Sequence, residues 1–480
     1  MNIAKNYIFN VIYQIVTLFV GLVTVPYISR VLGSSGVGIN AYTNSIIQYF
    51  ILAGTIGISL YGNRAIAYVR DDKQKLSRVF WGIFVLKLIT TCLAYLIFLL
   101  FLSMTKEYSN IFLIQSLYII AATFDISWLY MGLEDFKKTV IRNLFVQIIG
   151  LICIFIFVKH ANGLWIYVMI SALSQLFGQL TMWAYLPKTV QFIKLKWNDI
   201  MKHFMPSLSL FIPQIAIQIY LVLNKTMLGV LSNKNEVGYF YNSDKVVRMI
   251  LTLVTAMGVV MLPRVAHTFA KGNFNQVKEY LYQSFDFASY LSVPMMFGIA
   301  GIAGTMTPWF FGPGFAKTGV LIVVISPIIV LIAWSNVLGQ QYLMPVGKVR
   351  EYTISVGVGA VVNFILNLCL IKFYLSVGTA IATVFAELSV TLIQIIFVVR
   401  VIQIRKLFTA IWKYLIAGFF MYGLIEYLAH ILPGGPKTTF IQILTGIVTY
   451  FSLLFLLRSE MNHKIFGMGL QIVKKVTQYK

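Results

Sequence analysis

Long apolar runs broken by short polar punctuation dominate the chain. Fourteen stretches can be read, near 7–31, 37–62, 79–103, 110–132, 138–159, 163–186, 204–230, 237–262, 280–305, 318–343, 352–373, 376–400, 410–430 and 439–457. A bilayer core takes about 20 apolar residues in helical form, so each stretch can cross a membrane. Turn and charge signals separate them, such as Gly33-Ser34-Ser35-Gly36, Arg70-Asp71-Asp72-Lys73 and Pro433-Gly434-Gly435-Pro436. No connection is long enough for a further globular domain. The pattern predicts an all-α polytopic membrane protein with about 14 transmembrane helices, whose chemistry lies within the membrane. The first run contains Asn10, Gln14 and Pro26 and no small-residue cleavage site follows it, so a retained span is expected rather than a signal peptide.

Composition agrees with that reading. Of the 480 residues 59% are hydrophobic and 11% charged, well under the roughly 25% charged residues of a soluble domain. The net charge of +23 comes from cations clustered between the apolar runs. That is how membrane proteins hold their cytoplasmic loops, and it argues against nucleic acid. With the N-terminus inside, 27 Lys and Arg fall on the cytoplasmic side, 7 outside, and 4 (Lys87, Lys225, Lys245 and Arg248) within spans. The bias predicts that both termini are cytoplasmic. Cys92, Cys153 and Cys369 are far apart inside apolar runs, and the five histidines show no ligand spacing. Neither a disulfide, a metal nor a cofactor is expected.

The chain partly repeats itself. Val37-Gly38 follows Leu32-Gly33, and Val237-Gly238 follows Leu228-Gly229, an offset of 200 residues between the two openings. A second match aligns Leu129 with Leu343, offset by 214. These divide spans 1–6 from spans 7–12, with two appended. Six helices per half is an even number, so the halves share one orientation, as in the parallel repeats of alternating-access transporters. The expected domains are residues 1–200, 201–407 and 408–480.

A charge at mid-span costs about 2.5–3.5 kcal/mol on insertion scales, so each needs a reason. The eighth span carries the densest set, Asp244, Lys245 and Arg248. Asp244 and Arg248 are four apart and share a helical face. Arg248 lies about 18 Å from either end of its span, which favours a place on a cavity wall. Lys87, Arg64 and Arg30 stand closer to an interface, where snorkelling and cavity lining are both open. Asp125 lies two-thirds along span 4. Glu387, midway along span 12, suits either a charge pair or a proton carrier. Pro26, Pro213, Pro294 and Pro327 permit bending. Asn and Gln residues, among them Asn40, Asn44, Gln48, Gln214, Gln340, Gln341, Asn363 and Asn367, supply hydrogen-bonding groups for a wet cavity. A cationic, hydrophilic cavity suits an anionic, hydroxyl-rich cargo.

Several segments resemble the Wzx-type oligosaccharide flippases (polysaccharide biosynthesis membrane proteins) of the multidrug/oligosaccharidyl-lipid/polysaccharide exporter superfamily. They are Val25-Pro26-Tyr27-Ile28-Ser29-Arg30-Val31-Leu32-Gly33, Phe124-Asp125-Ile126-Ser127-Trp128-Leu129-Tyr130-Met131-Gly132, Met227-Leu228-Gly229 with Val237-Gly238-Tyr239, Gly339-Gln340-Gln341-Tyr342, and Val377-Gly378-Thr379-Ala380 leading to Glu387. The resemblance implies two pseudo-symmetric six-helix lobes in a V-shaped bundle, plus two C-terminal helices. It implies a flippase moving undecaprenyl-(di)phosphate-linked oligosaccharide repeat units of capsule, exopolysaccharide or teichoic acid across the cell membrane, with polysaccharide-assembly proteins as partners. The candidate cationic cavity is Arg30, Arg64, Lys225, Lys245 and Arg248, with Asp125, Asp244 and Glu387 as coupling or charge-pair residues. Asn224 stands before Lys225, where many relatives carry an acid, which leaves ion coupling there in doubt. Spans 13 and 14 are expected to offer a groove for the polyprenyl tail.

Other classes fit less well. A drug or metabolite exporter of the same superfamily typically has twelve spans. The Arg70-Asp71-Asp72-Lys73-Gln74-Lys75 loop lacks the Gly-rich Asp-Arg signature of a major-facilitator carrier. A membrane polymerase would carry a large outside loop, and an enzyme is not expected.

Overall fold

The computed structural model describes residues 3–465 and 467; the side chains of 3–15, 136–141, 212–214, 216–217, 219–221, 256–260 and 262–263 lie outside the described set. Asn10, Gln14, Pro213, Gln214 and the tail lysines Lys474, Lys475 and Lys480 therefore fall outside it. The chain forms two compact units, Met1–Gly238 and Tyr239–Lys480.

The first unit begins with α1 (Ile3–Thr55), which holds the first two apolar stretches and turns between them at Gly33, φ 68° and ψ 178°. No side chain tolerates that conformation easily, so glycine sets the hairpin. After a break at Ile56-Gly57 come α2 (Ile58–Ala67) and α3 (Lys73–Met104). Asp72 caps α3, its carboxylate accepting from Gln74 N and Lys75 N. The fourth stretch is not one helix but three pieces, α4 (Ser109–Gln115), α5 (Leu117–Phe124) and α6 (Ser127–Gly132). Then follow α7 (Phe136–Phe157), α8 (Leu164–Trp183) and the short α9 (Leu186–Thr189) and α10 (Trp197–Met201). The unit closes with α11 (Phe204–Leu231), which packs on α1 and α2, and with the opening residues of α12 (Lys234–Ala270).

The second unit continues with α13 (Phe274–Phe311), capped by Asn273 through Gln276 N. Next come α14 (Ala316–Ile325), α15 (Ile328–Ser335) and a π-helical run over Asn336–Leu343. This span bends by 44° at Ser326-Pro327, where proline removes a backbone donor. Helix α16 (Val349–Val398) joins two stretches across Leu375, and α17 (Ile404–Phe408), α18 (Ile411–Ile431) and α19 (Pro436–Leu456) complete the chain. Helices α18 and α19 pack together against α13. Glycines allow this: a Cβ on Gly418 would meet Phe297, and one on Gly446 would meet Ile425 and Met421.

Each of the fourteen expected stretches falls on helix, whole or broken. Eight described helices are long and apolar enough to cross a membrane, or nine if the bent pair is one span, and two of the eight exceed 49 residues because each joins two stretches. The packing inside the two units repeats. Phe80 stacks on Trp128 at 5.5 Å and 25°, and Phe285 stacks on Trp334 at 5.3 Å and 26°. The partners are separated by 205 and 206 residues, between the two offsets visible in the sequence.

Candidate substrate-binding site

Asp244 and Arg248 meet as their spacing requires: Nε stands 2.7 Å from Oδ1, with the side chains 29% (Arg248) and 12% (Asp244) exposed. Lys245 turns to a different face, its Nζ donating to Tyr241 Oη at 3.3 Å and standing 5.3 Å from that ring. Two cations and one anion leave this stretch of helix net positive. Of the other cavity candidates, Arg30 and Arg64 are exposed and Lys225 is half-buried. Arg64 donates from Nε to Tyr68 Oη at 2.9 Å and lies over the same ring at 5.5 Å.

Lys87, for which snorkelling and cavity lining were both open, does neither. It is 0% exposed, and its Nζ donates to the Asp125 carbonyl at 2.7 Å. The break between α5 and α6 explains why. It frees backbone carbonyls that the membrane interior cannot solvate. Lys87 and Trp128 Nε1 satisfy that of Asp125, and Trp183 Nε1 that of Phe124 at 2.9 Å. The Asp125 carboxylate accepts from Ser127 N at 2.9 Å, capping the next helical piece. The acid thus builds the break in span 4.

Glu387 is buried on a face of α16 that also carries Thr379, Thr383, Thr391 and Gln394, all buried. Thr391 Oγ1 donates to Leu331 O at 3.0 Å, and Gln394 Nε2 to Ser355 Oγ at 3.1 Å. On the first arm of α16, ahead of Leu375, Asn367 Nδ2 donates to Asn363 Oδ1 one turn earlier at 3.0 Å. Sequence reasoning found Glu387, Asn363 and Asn367 but missed the threonines. Their recurrence every four residues was the available signal.

A second missed feature joins α1 to α11 and the start of α12. A Cβ on Gly38 would strike the Lys234 carbonyl, and one on Gly238 would strike the Ser34 carbonyl. The contact is reciprocal across the 200-residue repeat. Below it Gly229 packs on the Tyr42 ring, and Ser45 Oγ lies 2.9 Å from Thr226 Oγ1. Lys234 Nζ sits 3.7 Å from the Tyr42 ring centre and 5.6 Å from that of Tyr108, and donates to Gly229 O at 2.7 Å. Burial lowers the Lys234 ammonium from its ordinary value, and the charge of Glu107 counters this in part. Tyr108 is pushed up to about 12, first by burial and then by Glu107.

Apolar helices of membrane-crossing length, internally duplicated and carrying buried polar and cationic groups, define a polytopic α-helical transporter. The chain belongs to the polysaccharide biosynthesis protein family, whose model matches residues 3–269. An Escherichia coli (strain K12) protein named as an O-antigen transporter is 22% identical over 406 residues, 83% of this chain and 97% of its own length. The fold is that of a lipid II flippase MurJ structure in an inward closed conformation, with TM-score 0.73, 15% identity and coverage of 95% of this chain and 99% of that one. An inward-facing multidrug resistance MATE family transporter of the MOP superfamily follows at TM-score 0.61 and 13% identity, covering 86% and 96%.

Proposed function

We propose that this protein is a flippase for polyprenyl-(di)phosphate-linked oligosaccharide, moving its polar head from the cytoplasmic to the outer leaflet by alternating access. The observation that carries the reading is net positive charge held at depth in a membrane helix, the Asp244–Arg248 pair with Lys245 beside it, in a chain of the polysaccharide biosynthesis family. Cations bind phosphate by charge-assisted hydrogen bonds, and Arg does so in a fixed fork. In this reading Arg30, Arg64 and Lys225 join Lys245 and Arg248 in binding the phosphorylated head, and Glu387 serves charge pairing or coupling. The domain limits are then 1–200, 201–407 and 408–480. The 27-to-7 cation bias puts both termini in the cytoplasm of a cell-membrane protein. Polysaccharide-assembly proteins are its expected partners.

The α1–α11 seam serves as the outer gate, since it lies at the ends of spans 1 and 7 that the cation bias places outside. Transport of a fluorescent polyprenyl-diphosphate oligosaccharide in proteoliposomes tests the assignment. Arg248→Ala is expected to reduce the rate at least tenfold with the protein still folded; an unchanged rate removes Arg248 from that role. The second reading, a drug or metabolite exporter of the same superfamily, draws on the shared fold with a multidrug transporter. Transport of lipophilic cations without transport of the lipid-linked glycan would select it.

A further inference from the structure

The α3–α4 and α7–α8 connections of the first unit both lie on the side that the cation bias places outside. Together they enclose a cavity of about 600 Å³, within the roughly 300–1,000 Å³ range of small-molecule sites. Its lining is sorted by chemistry. Ile111 and Ile114 from α4 and Leu164 from α8 supply a buried or half-buried apolar floor. Trp165 lines the cavity with 54% of its surface exposed, and Asn110 and Asn162 stand exposed at the rim, one from each connection. The two amides and the Trp165 indole N–H have no hydrogen-bond partner among the described residues. Trp128 and Trp183, by contrast, spend their indole N–H groups on backbone carbonyls.

A pyranose ring divides in the same way. Its C–H face is apolar and packs on an aromatic ring, while the hydroxyls at its edge donate and accept. An Asn amide carries an acceptor oxygen and two donor hydrogens, so it serves hydroxyls in either sense. Charge points to an uncharged ligand. The cation at the rim, Lys106, is followed directly by Glu107, which leaves no net positive charge to select a phosphate.

Tyr108 joins this cavity to the α1–α11 seam. Its ring lines the cavity and stands 5.6 Å from Lys234 Nζ, and the Lys234 carbonyl is the group that meets Gly38. Tyr108 also holds φ at 56°, a left-handed value uncommon for a residue with a side chain. Such strain persists only where the surroundings over-determine it, and it clusters at ligand clamps and switch regions.

We propose that this cavity is an exit-side sugar site, taking one neutral pyranose of the carried glycan with its apolar face on Trp165 and its hydroxyls on Asn110 and Asn162. The inference rests on the flippase reading and names the part of the substrate that is held as it leaves. A sugar seated beside Tyr108 keeps the polar head on the outer side while the seam closes.

Trp165 supplies the readout, because the difference between the unmodified protein and Trp165→Phe isolates its emission from that of the other tryptophans. The probe is the oligosaccharide released from the polyprenyl-diphosphate lipid of the transport assay, added to the protein in phosphatidylcholine nanodiscs. It is expected to protect the Trp165 emission from acrylamide quenching at least threefold, and saturably. Asn110→Ala/Asn162→Ala keeps the ring and should raise the half-saturating concentration at least tenfold, and Asn110→Gln/Asn162→Gln should recover part of the loss. No protection, or protection that the alanine substitutions leave unchanged, overturns the proposal. Protection that follows phosphatidylglycerol content without added sugar also overturns it, marking a crevice for ordinary lipid headgroups. Transport by the unmodified protein, measured on the same preparation, separates the two ideas. Transport without protection removes the sugar site alone, and failure to transport the glycan lipid removes the flippase reading together with the exit role.

Discussion

At the scale of single residues, a cation in a membrane helix is defined by what its head touches. Lys87 and Arg248 look alike as charges in apolar runs, yet one holds a backbone carbonyl and the other a carboxylate. Removing Lys87 leaves Trp128 Nε1 as the donor to the Asp125 carbonyl and forfeits one hydrogen bond from a charged group, worth about 1.5–3 kcal/mol. Lys87→Ala should therefore lower thermal stability in detergent by about that amount or more, with transport falling only as folded protein is lost. Arg248 behaves differently. Asp244→Asn removes the carboxylate that accepts from the Arg248 guanidinium, and losing one member of a charge pair costs more than removing both. Asp244→Asn is expected to destabilise the protein more than the double variant Asp244→Asn/Arg248→Gln, as a thermal-shift comparison of the two would reveal. The Asp244–Arg248 pair was legible from its spacing of four. The partner of Lys87 was not, because Asp125 lies 38 residues away and offers its backbone rather than its carboxylate.

At the scale of elements, glycines set how closely helices approach. The Gly38–Gly238 contact places backbone against backbone, so an added side chain has nothing flexible to displace. Gly38→Val is expected to hold the α1–α11 seam apart and reduce transport at least tenfold, with raised accessibility of a cysteine introduced at Ser45; a normal rate would show that the seam is not a gate. The connection ahead of α11 is built differently, by docking onto α3. Trp81 Nε1 donates to Gln191 O at 3.0 Å, Ser77 Oγ accepts from Gln191 N at 2.9 Å, and buried His203 lies with Nδ1 2.7 Å from Tyr61 Oη. Burial, aided by Lys202, lowers His203 to about 4, with Asp199 opposing in part. Since its ordinary value is about 6.5, the unfolded chain binds the proton more readily between these limits, and stability rises with pH there. Thermal stability should fall as pH drops from 6.5 towards 4, and His203→Gln should flatten that slope.

At the scale of the whole chain, duplication is visible twice, in the offsets of short motifs and in paired Phe–Trp stacks with nearly equal geometry. The stacks sit where α3 meets the α5–α6 break and where α13 meets α15, so the repeated feature is a helix packed against a broken neighbour. Not everything repeats. The first unit caps its break with Lys87 and two tryptophans, whereas Trp334 Nε1 donates to Ser289 Oγ at 2.8 Å. The polar face around Glu387 belongs to α16 of the second unit. An ancestral repeat has thus been given unlike polar interiors, consistent with one half serving a task the other does not.

The sequence alone determined the apolar stretches, the cation bias, the internal repeat, the four-residue charge pair and the family pattern. These are local or additive properties, since hydropathy, net charge and helical spacing sum along the chain without reference to distant neighbours. Only the tertiary structure decided where spans break, which group satisfies each freed carbonyl, and which glycines touch. Each of those depends on helices far apart in sequence meeting at particular faces. In the absence of water inside a bilayer, that meeting decides whether a polar group serves as structure or is left for a ligand.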